Sequence, residues 1–126
     1  MKIVLIEPDK ILATTYAQQL SGLSLDVTCA QNAQNAVHAV DSVIPDLVVL
    51  EPKLPGHSGM EFLHEFRSYE DWASIPVIVY SRIPEYSFGV DSSMWQKFGV
   101  VRYLDKSKIS AVQLAGIIKS TKKISL

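Results

Sequence analysis

The chain has 126 residues, of which 48% are hydrophobic and 20% are charged, so it can fill the core of one domain spanning residues 1–126. Its formal net charge of −1 argues against broad electrostatic binding to nucleic acid or to an anionic membrane. The single cysteine excludes an intrachain disulfide, and no apolar run approaches the roughly 20 residues of a membrane-spanning helix, so we expect a cytoplasmic protein.

Short apolar runs of the kind that form strands occur five times along the chain. Several of them are apolar at every position rather than at alternate positions, a pattern typical of strands buried on both faces of a parallel sheet. The predicted strands span residues 3–6, 25–29, 47–50, 77–80 and 100–104.

Helical spacing of apolar residues fills the segments between these strands. The first predicted helix ends at Gly22, the second is stopped by Pro45, and the third follows a Pro/Gly-rich loop that runs to Gly59. The fourth, around residues 87–98, is the least regular, and the fifth covers residues 109–118. The first stripe comprises Ile11, Leu12, Thr15, Tyr16, Gln19 and Leu20, and the third comprises Met60, Leu63, His64 and Arg67.

Five strand-then-helix units without long linkers predict an α/β fold with a doubly wound, five-stranded parallel sheet between two layers of helices. Ligands of such folds bind at the carboxyl ends of the strands, near the point where the strand order reverses. The residues that follow the predicted strands are therefore the candidates for a site: Glu7, Pro8, Asp9, Glu51, Ser81, Arg82, Asp105, Lys106 and Ser107.

Four of these candidates have the chemistry needed to handle a phosphoryl group. A carboxylate that accepts phosphate needs a divalent cation, and Mg²⁺ takes carboxylates, waters and phosphate oxygens in a strict octahedron. A lysine and a hydroxyl group then hold the remaining phosphoryl oxygens. These groups are available from four strand ends as Glu7, Glu51, Ser81 and Lys106.

A set of motifs follows the predicted strands in order along the chain: residues 3–7 (IVLIE), 45–51 (PDLVVLE), 54–56 (LPG) with Gly59, 75–81 (IPVIVYS), and Gly99 with 103–106 (YLDK). In these motifs, and over essentially its whole length, the chain resembles bacterial two-component response-regulator receiver domains, which have the flavodoxin-like (CheY-like) fold.

The resemblance implies a role for each site position. Glu51 falls on the phosphoacceptor, which is normally an aspartate, and Glu7 and Pro8 fall on the acidic pair that holds Mg²⁺. The implied metal ligands are thus Glu7, Glu51 and the backbone carbonyl of Lys53. The switch positions are Ser81, Tyr103 and Lys106.

Two departures from the family pattern predict altered chemistry. Pro8 offers neither a carboxylate nor a backbone donor, although it suits the first turn of a helix. Asp9 is the candidate to compensate for the missing carboxylate, but it lies one position further along and is expected to project differently. Glu51 carries an extra methylene, so its carboxylate either reaches Lys106 as a permanent ion pair or points to solvent. We expect no cofactor, with Mg²⁺ bound at low affinity or not at all.

Other positions permit two interpretations. Tyr103 is either a half-buried strand tyrosine or a retained switch, and Trp95 with Phe98 either fills the core or forms a partner patch. Ser58 is expected to cap the third helix. Ser107 replaces the proline that normally follows the lysine, so we expect a trans peptide there. About three surplus residues lie near residues 82–86, just before the fourth helix.

The leading functional hypothesis is a divergent receiver that acts as a phosphorylation-independent protein-interaction module and not as an enzyme. Its partner would be a histidine kinase, a phosphotransfer or effector protein, or a second copy, bound through helix 4, strand 5 and helix 5. The alternative is a still-active receiver that accepts a phosphoryl group in a remodelled site with Mg²⁺. A flavin- or dinucleotide-binding domain is disfavoured, because the acidic residues Glu7 and Asp9 lie where such domains cradle phosphate.

Overall fold

The computed structural model describes residues 1–56 and 58–124, so His57 of the predicted loop lies outside the described residues. The elements are β1 (Lys2–Ile6), α1 (Lys10–Ser21), β2 (Asp26–Ala30), α2 (Ala33–Val43), β3 (Leu47–Leu50), α3 (Gly59–Ser68), β4 (Val77–Ser81), α4 (Ser92–Lys97), β5 (Val100–Asp105) and α5 (Ala111–Ser120). Two short 3₁₀ helices, Glu70–Trp72 and Glu85–Phe88, precede β4 and α4. Within the described ranges, no helix has the length and apolar character needed to cross a membrane.

All five strands form one parallel sheet in the order β2-β1-β3-β4-β5. The chain moves from β1 outward to β2 and then returns to the other side of β1 for β3, so the strand order reverses between β1 and β3. Ile6 lies opposite Leu50 in that pair, and Leu50 lies opposite Val79 in the next. The residues that follow β1 and β3 therefore leave the sheet side by side at the switch point.

The core has two layers because successive strand residues point to opposite faces of the sheet. Val4 and Val48 point to the face covered by α2, α3 and α4, and Ile3 and Leu47 point to the face covered by α1 and α5. Every residue of β3 and β4 is buried, as the continuous apolar runs predict. Full burial of one such side chain contributes about 1.5–3 kcal/mol, so these strands fix the scaffold that carries the site.

The predicted stripes of α1 and α3 need correction. In α1, Leu20 is buried as predicted, but Ile11 of the predicted stripe is 78% exposed, and Ala13, which the stripe left out, is buried. In α3 the buried aromatic residues are Phe62 and Phe66, which lie outside the predicted stripe. Leu63 of the predicted α3 stripe is buried, so each stripe was right in part. The errors have a simple cause, since alanine adds little to a hydrophobic pattern and exposed apolar residues are common on protein surfaces.

The fourth helical segment is broken into two pieces. The 3₁₀ helix Glu85–Phe88 ends at Gly89, whose φ of 65° is the left-handed conformation that glycine adopts readily, and α4 then covers only six residues. Trp95 and Phe98 are buried, at 4% and 6% exposure, which confirms that they fill the core. α4 is thus shorter than predicted, while its two aromatic residues remain in the core.

Arg67 belongs to the predicted stripe of α3, and its partly buried guanidinium group faces the rest of the fold. It donates hydrogen bonds to the carbonyls of Phe98, Trp72, Ala73 and Ile75. These carbonyls lie in the segments that enter β4 and β5, so one side chain ties α3 to both.

Candidate functional site

The candidate residues converge where the strands end, because backbone hydrogen bonds continue the sheet into the loops. The N–H of Glu7 donates to the carbonyl of Ala30 at 2.9 Å, and the N–H of Glu51 donates to the carbonyl of Ile6 at 2.9 Å. On the other side of the sheet, the N–H of Lys106 donates to the carbonyl of Ser81 at 3.2 Å. These bonds fix the main chain at Glu7, Glu51 and Lys106.

A buried ion triad forms the centre of this edge. The ammonium of Lys106 donates to Glu7 Oε1 and, at 3.0 Å, to Glu51 Oε1. The Lys106 side chain is 5% exposed, that of Glu7 is 4% exposed and that of Glu51 is 11% exposed. Of the two orientations considered for Glu51, the structure has the ion pair with Lys106.

Backbone donors hold the second oxygen of each carboxylate in the triad. Glu7 Oε2 accepts from the N–H of Asp9 at 3.1 Å, and Glu51 Oε2 accepts from the N–H of Lys53 at 3.2 Å. Each carboxylate is thus held from both sides, by the shared ammonium and by its own loop. The two glutamates are fixed in orientation as well as in position.

The ammonium of Lys106 is held in its charged form. Burial opposes the charge, but the hydrogen bonds and negative charges of Glu7 and Glu51 outweigh that effect and raise the pKa of Lys106 above its ordinary value of 10.5. The lysine is therefore a fixed cation at neutral pH.

The N-terminus of the helix that follows β1 lies beside the triad. Asp9 is the residue that caps α1, and its Oδ1 accepts from the N–H groups of Ile11 and Leu12 at 3.0 and 3.1 Å. Pro8 lies just before the cap, so it is outside the first turn that the sequence suggested. The Asp9 carboxylate is occupied at the helix N-terminus.

The donor set at this edge does not fit the magnesium ion that the resemblance implies. Magnesium needs oxygen ligands in an octahedron, but an ammonium lies between Glu7 and Glu51, and Pro8 supplies no carboxylate. No group of three or more His, Cys, Asp or Glu side chains is arranged to hold a metal among residues 1–56 and 58–124. The contact described for the backbone of Lys53 is its N–H, so the role of its carbonyl as a ligand stays a prediction.

Ser81 and Tyr103 meet at the loop that follows β4. The buried Ser81 Oγ accepts from the N–H of Ile83 at 3.1 Å, and the Tyr103 hydroxyl donates to the carbonyl of Ile83. The Tyr103 ring packs edge-on against Trp95, with 5.6 Å between the ring centroids. Tyr103 thus links the loop beside the triad to α4.

Two smaller predictions are confirmed near the site. Ser58 caps α3 by accepting from the N–H of Glu61 at 3.3 Å. No cis peptide bond occurs in the described part of the chain, so the bond between Lys106 and Ser107 is trans. The loop there is closed by Asp105, whose Oδ1 accepts from the N–H and the hydroxyl of Ser107 at 2.8 and 2.6 Å.

Alkaline titration will report the packing of Tyr103. Burial, followed by the negative charge of Glu51, raises its pKa from 10.0 to about 12. Because the pKa is raised in the folded state, the protonated Tyr103 makes its full contribution to the free energy of unfolding below pH 10. This contribution is lost as the pH rises through 12. We expect the phenolate absorbance step near pH 12 to shrink in Tyr103→Phe. The buried Tyr80, with a pKa also raised to about 12, supplies the remaining part of that step. An unchanged step in Tyr103→Phe would contradict the assignment.

Comparisons with known proteins agree with the architecture. The family model of the response regulator receiver domain matches residues 3–118. Regulatory protein AtoC of Escherichia coli (strain K12) is 28% identical over 116 residues, which are 90% of this chain and 24% of that relative. The chain thus spans about a quarter of the length of AtoC.

Solved structures give the same result for the fold. Chemotaxis protein CheY4 of Vibrio cholerae superposes with a TM-score of 0.81 at 14% identity, over 94% of this chain and 95% of the other. The BeF3-activated N-terminal receiver domain of Klebsiella pneumoniae RstA superposes with a TM-score of 0.78 at 26% identity, over 94% and 97%. These likenesses confirm the predicted doubly wound, five-stranded parallel fold.

Proposed function

Since the chain belongs to the response regulator receiver domain family, we propose that it acts in two-component signalling through protein contacts and without accepting a phosphoryl group. Receiver domains interact with histidine kinases, phosphotransfer proteins or effector proteins. The observation that carries the proposal is the buried Lys106 ammonium, which is shared by Glu7 and Glu51.

The triad supplies internally the positive charge that a receiver takes from a metal ion. Two adjacent carboxylates repel each other unless a cation lies between them, and Lys106 is that cation here. A divalent ion would have to displace a buried lysine and would still lack the carboxylate that Pro8 removes. We therefore propose that magnesium binds weakly or not at all.

Glu51 also lacks the geometry of the usual acceptor. Its extra methylene moves the carboxylate by more than about 1 Å on the scale of a single bond. A misplacement of about 1 Å can lower the rate of an oriented reaction about 100-fold. Its anionic contact with Lys106 resembles the contact expected of a phosphorylated aspartate, so we propose that Glu51 holds the domain in one signalling state.

The output surface of this proposal comprises α4, β5 and α5. β5 is an edge strand of the sheet, and Val101 on it is 42% exposed. Met94 on α4 is 39% exposed, so apolar surface is available for a partner protein or a second copy. Tyr103 connects this surface to the loop beside the triad through Ile83.

Intact mass measurement tests the central claim on the natural chain. After incubation with acetyl phosphate and millimolar Mg²⁺, we expect no species heavier by one phosphoryl group, because the Lys106 ammonium already binds both carboxylates and Glu51 is longer than the usual acceptor. A conventional receiver with an aspartate acceptor, treated in parallel, shows that the donor is active. A magnesium titration followed by amide chemical shifts should leave Glu7 and Glu51 unchanged.

A gain of phosphoryl mass would contradict the proposal and support the still-active receiver instead. That alternative has one observation in its favour, since Glu51, Ser81 and Lys106 all lie at the same edge of the sheet. The variant Glu51→Gln then identifies the acceptor, because phosphorylation at Glu51 is lost in it.

A further inference from the structure

Tyr80 is a tyrosine of β4 that lies directly before Ser81 and is only 2% exposed. Its side chain belongs to the core layer on the side of α1 and α5, whereas Tyr103 on the neighbouring strand packs against the layer that includes α4. The strand register agrees with this placement, because Val79, and not Tyr80, lies opposite Tyr103. The two tyrosines therefore lie on opposite faces at the end of the sheet.

The hydroxyl of Tyr80 holds the segment that leads into α5. It donates to the carbonyl of Ile109, the residue directly before the helix cap Ser110. The Ser110 Oγ accepts from the N–H of Gln113 at 3.2 Å, and the Ser110 N–H donates to Gln113 Oε1 at 2.9 Å. The capped start of α5 is thus tied to β4 by one side chain.

The ring of Tyr80 lies beside the ion triad. The Nζ atom of Lys106 is 6.0 Å from the centroid of this ring, at the limit of the distance over which an aromatic ring attracts a cation. Tyr16 on α1 packs edge-on against the same ring, with 5.5 Å between the ring centroids. The ring is therefore held by α1 within reach of the ammonium that Glu7 and Glu51 share.

Filling of the core does not by itself require a tyrosine at this position. A leucine would also bury apolar surface, but it offers no ring to the ammonium of Lys106 and no hydroxyl to the carbonyl of Ile109. Tyr80 makes these two contacts from the two ends of one rigid side chain, so a movement of the ammonium can reach the start of α5. Burial raises the pKa of Tyr80 to about 12, so its hydroxyl remains a donor at neutral pH.

We propose that Tyr80 positions the Lys106 ammonium and couples the ion triad to the start of α5. This coupling rests on the proposed function and extends it, because it gives the triad a second connection to the α4–β5–α5 surface. Tyr103 makes the connection to α4 on one face of the sheet, and Tyr80 makes the connection to α5 on the other. A partner that binds α5 also changes the contacts of Lys106, because coupling between two sites is reciprocal.

Hydrogen exchange of backbone amides in α5 tests the contact made by the hydroxyl. Tyr80→Phe keeps the ring and removes the hydroxyl, so the amides of Gln113 and Leu114 should exchange roughly two- to ten-fold faster, as expected for one lost hydrogen bond. Tyr103→Phe is the matched control, because it removes a hydroxyl that donates to a carbonyl on the opposite face, and it should change these rates less than about two-fold. Equal effects of the two variants, or no effect of Tyr80→Phe, would overturn the proposal.

Hydrogen exchange of the Lys106 ammonium group, followed by nitrogen NMR, tests the contact made by the ring. Tyr80→Leu removes the ring, so the ammonium should exchange about two- to five-fold faster, as expected for a lost cation–π contact. Tyr80→Phe retains the ring and should keep the exchange rate of the natural chain. An unchanged rate in Tyr80→Leu, or the same acceleration in Tyr80→Phe, would contradict the positioning role.

The coupling itself is tested by changing the triad at Glu51, which is remote in sequence from α5. Glu51→Gln alters the contacts of Lys106 and should shift the amide signals of Gln113 and Leu114. Combined with Tyr80→Phe, this shift should be at least about two-fold smaller, whereas Tyr103→Phe should leave it unchanged. A shift of equal size with and without the Tyr80 hydroxyl would overturn the proposal, because the change would then pass along the chain from Lys106. This comparison decides the matter even where Tyr80→Leu does not fold.

These outcomes are distinguishable from a failure of the proposed function, because the NMR measurements use the chain without phosphodonor or magnesium. A natural chain that gains phosphoryl mass while both contacts of Tyr80 behave as expected would overturn the proposed function alone. A natural chain that stays unphosphorylated and does not show the coupling would overturn the role of Tyr80 alone.

Discussion

Replacing Lys106 with methionine should lower the free energy of unfolding by about 3–5 kcal/mol, which is the usual cost of removing one partner from a buried ion pair. The reason is that Glu7 and Glu51, whose side chains are 4% and 11% exposed, would keep their charges without the shared ammonium. Methionine has a similar length and no charge, so the lost energy is mainly electrostatic. Urea unfolding followed by tryptophan fluorescence measures it.

A compensated variant distinguishes lost charge from lost packing. With Lys106→Met, Glu7→Gln and Glu51→Gln combined, no buried charge remains, and each glutamine oxygen still accepts from the N–H of Asp9 or Lys53. We expect most of the lost stability to return in this triple variant. A loss of less than about 1 kcal/mol in Lys106→Met would show that the triad behaves as a solvent-exposed ion pair, which contradicts its burial.

The stability difference between the natural chain and Lys106→Met should depend on pH, in a way that follows from the direction in which the pKa of Lys106 is shifted. The pKa of Lys106 is raised above 10.5 by its hydrogen bonds and the charges of Glu7 and Glu51, despite burial. A group with a raised pKa in the folded state contributes its full stability below its unfolded pKa and loses it as the pH rises through the folded pKa. The stability difference between the natural chain and Lys106→Met should thus be constant from pH 7 to 9, and should narrow above 10.5.

The sheet was predictable from the sequence because the apolar runs of its strands fit no other secondary structure as well. Leu47–Leu50 is apolar at every position, and such a run of four residues fits a strand buried on both faces better than a helix. The α1 stripe was less predictable, since Ala13 packs in the core while the more hydrophobic Ile11 is exposed. Small residues at close helix–sheet contacts leave almost no hydrophobic signal.

The location of the site was predictable from the sequence, but the full set of contacts among its side chains was not. Parallel strands end at the same edge of the sheet, so Glu7, Glu51 and Lys106 were expected at that edge, with Glu7 and Glu51 side by side at the switch point between β1 and β3. The ion pair of Glu51 with Lys106 was one of the two orientations that the sequence left open. The second contact of Lys106, with Glu7, depends on the rotamers of long side chains, which no sequence pattern specifies. Arg67 escaped detection for a related reason, because its partners are backbone carbonyls, which are present at every residue.

Replacing Glu51 with aspartate and Pro8 with aspartate together should restore magnesium-dependent phosphorylation. Glu51→Asp withdraws the carboxylate from Lys106 by about the length of one carbon–carbon bond and returns the nucleophile to the usual acceptor geometry. Pro8→Asp supplies the missing carboxylate beside Glu7, so a magnesium ion gains the oxygen ligands that it needs. We expect phosphorylation by acetyl phosphate to rise at least about 100-fold above the natural chain, measured by intact mass.

A neutral control determines whether charge or backbone freedom is responsible for the gain. The double variant Glu51→Asp with Pro8→Asn removes the proline without adding a carboxylate, so it should remain unphosphorylated. The single variants Glu51→Asp and Pro8→Asp should also remain unphosphorylated. Equal phosphorylation of the asparagine variant would mean that the proline acts through the backbone and that metal ligation by position 8 is not needed. Failure of the double aspartate variant, with its fold intact, would place the block in Lys106, because an ammonium still held by Glu7 continues to exclude the metal.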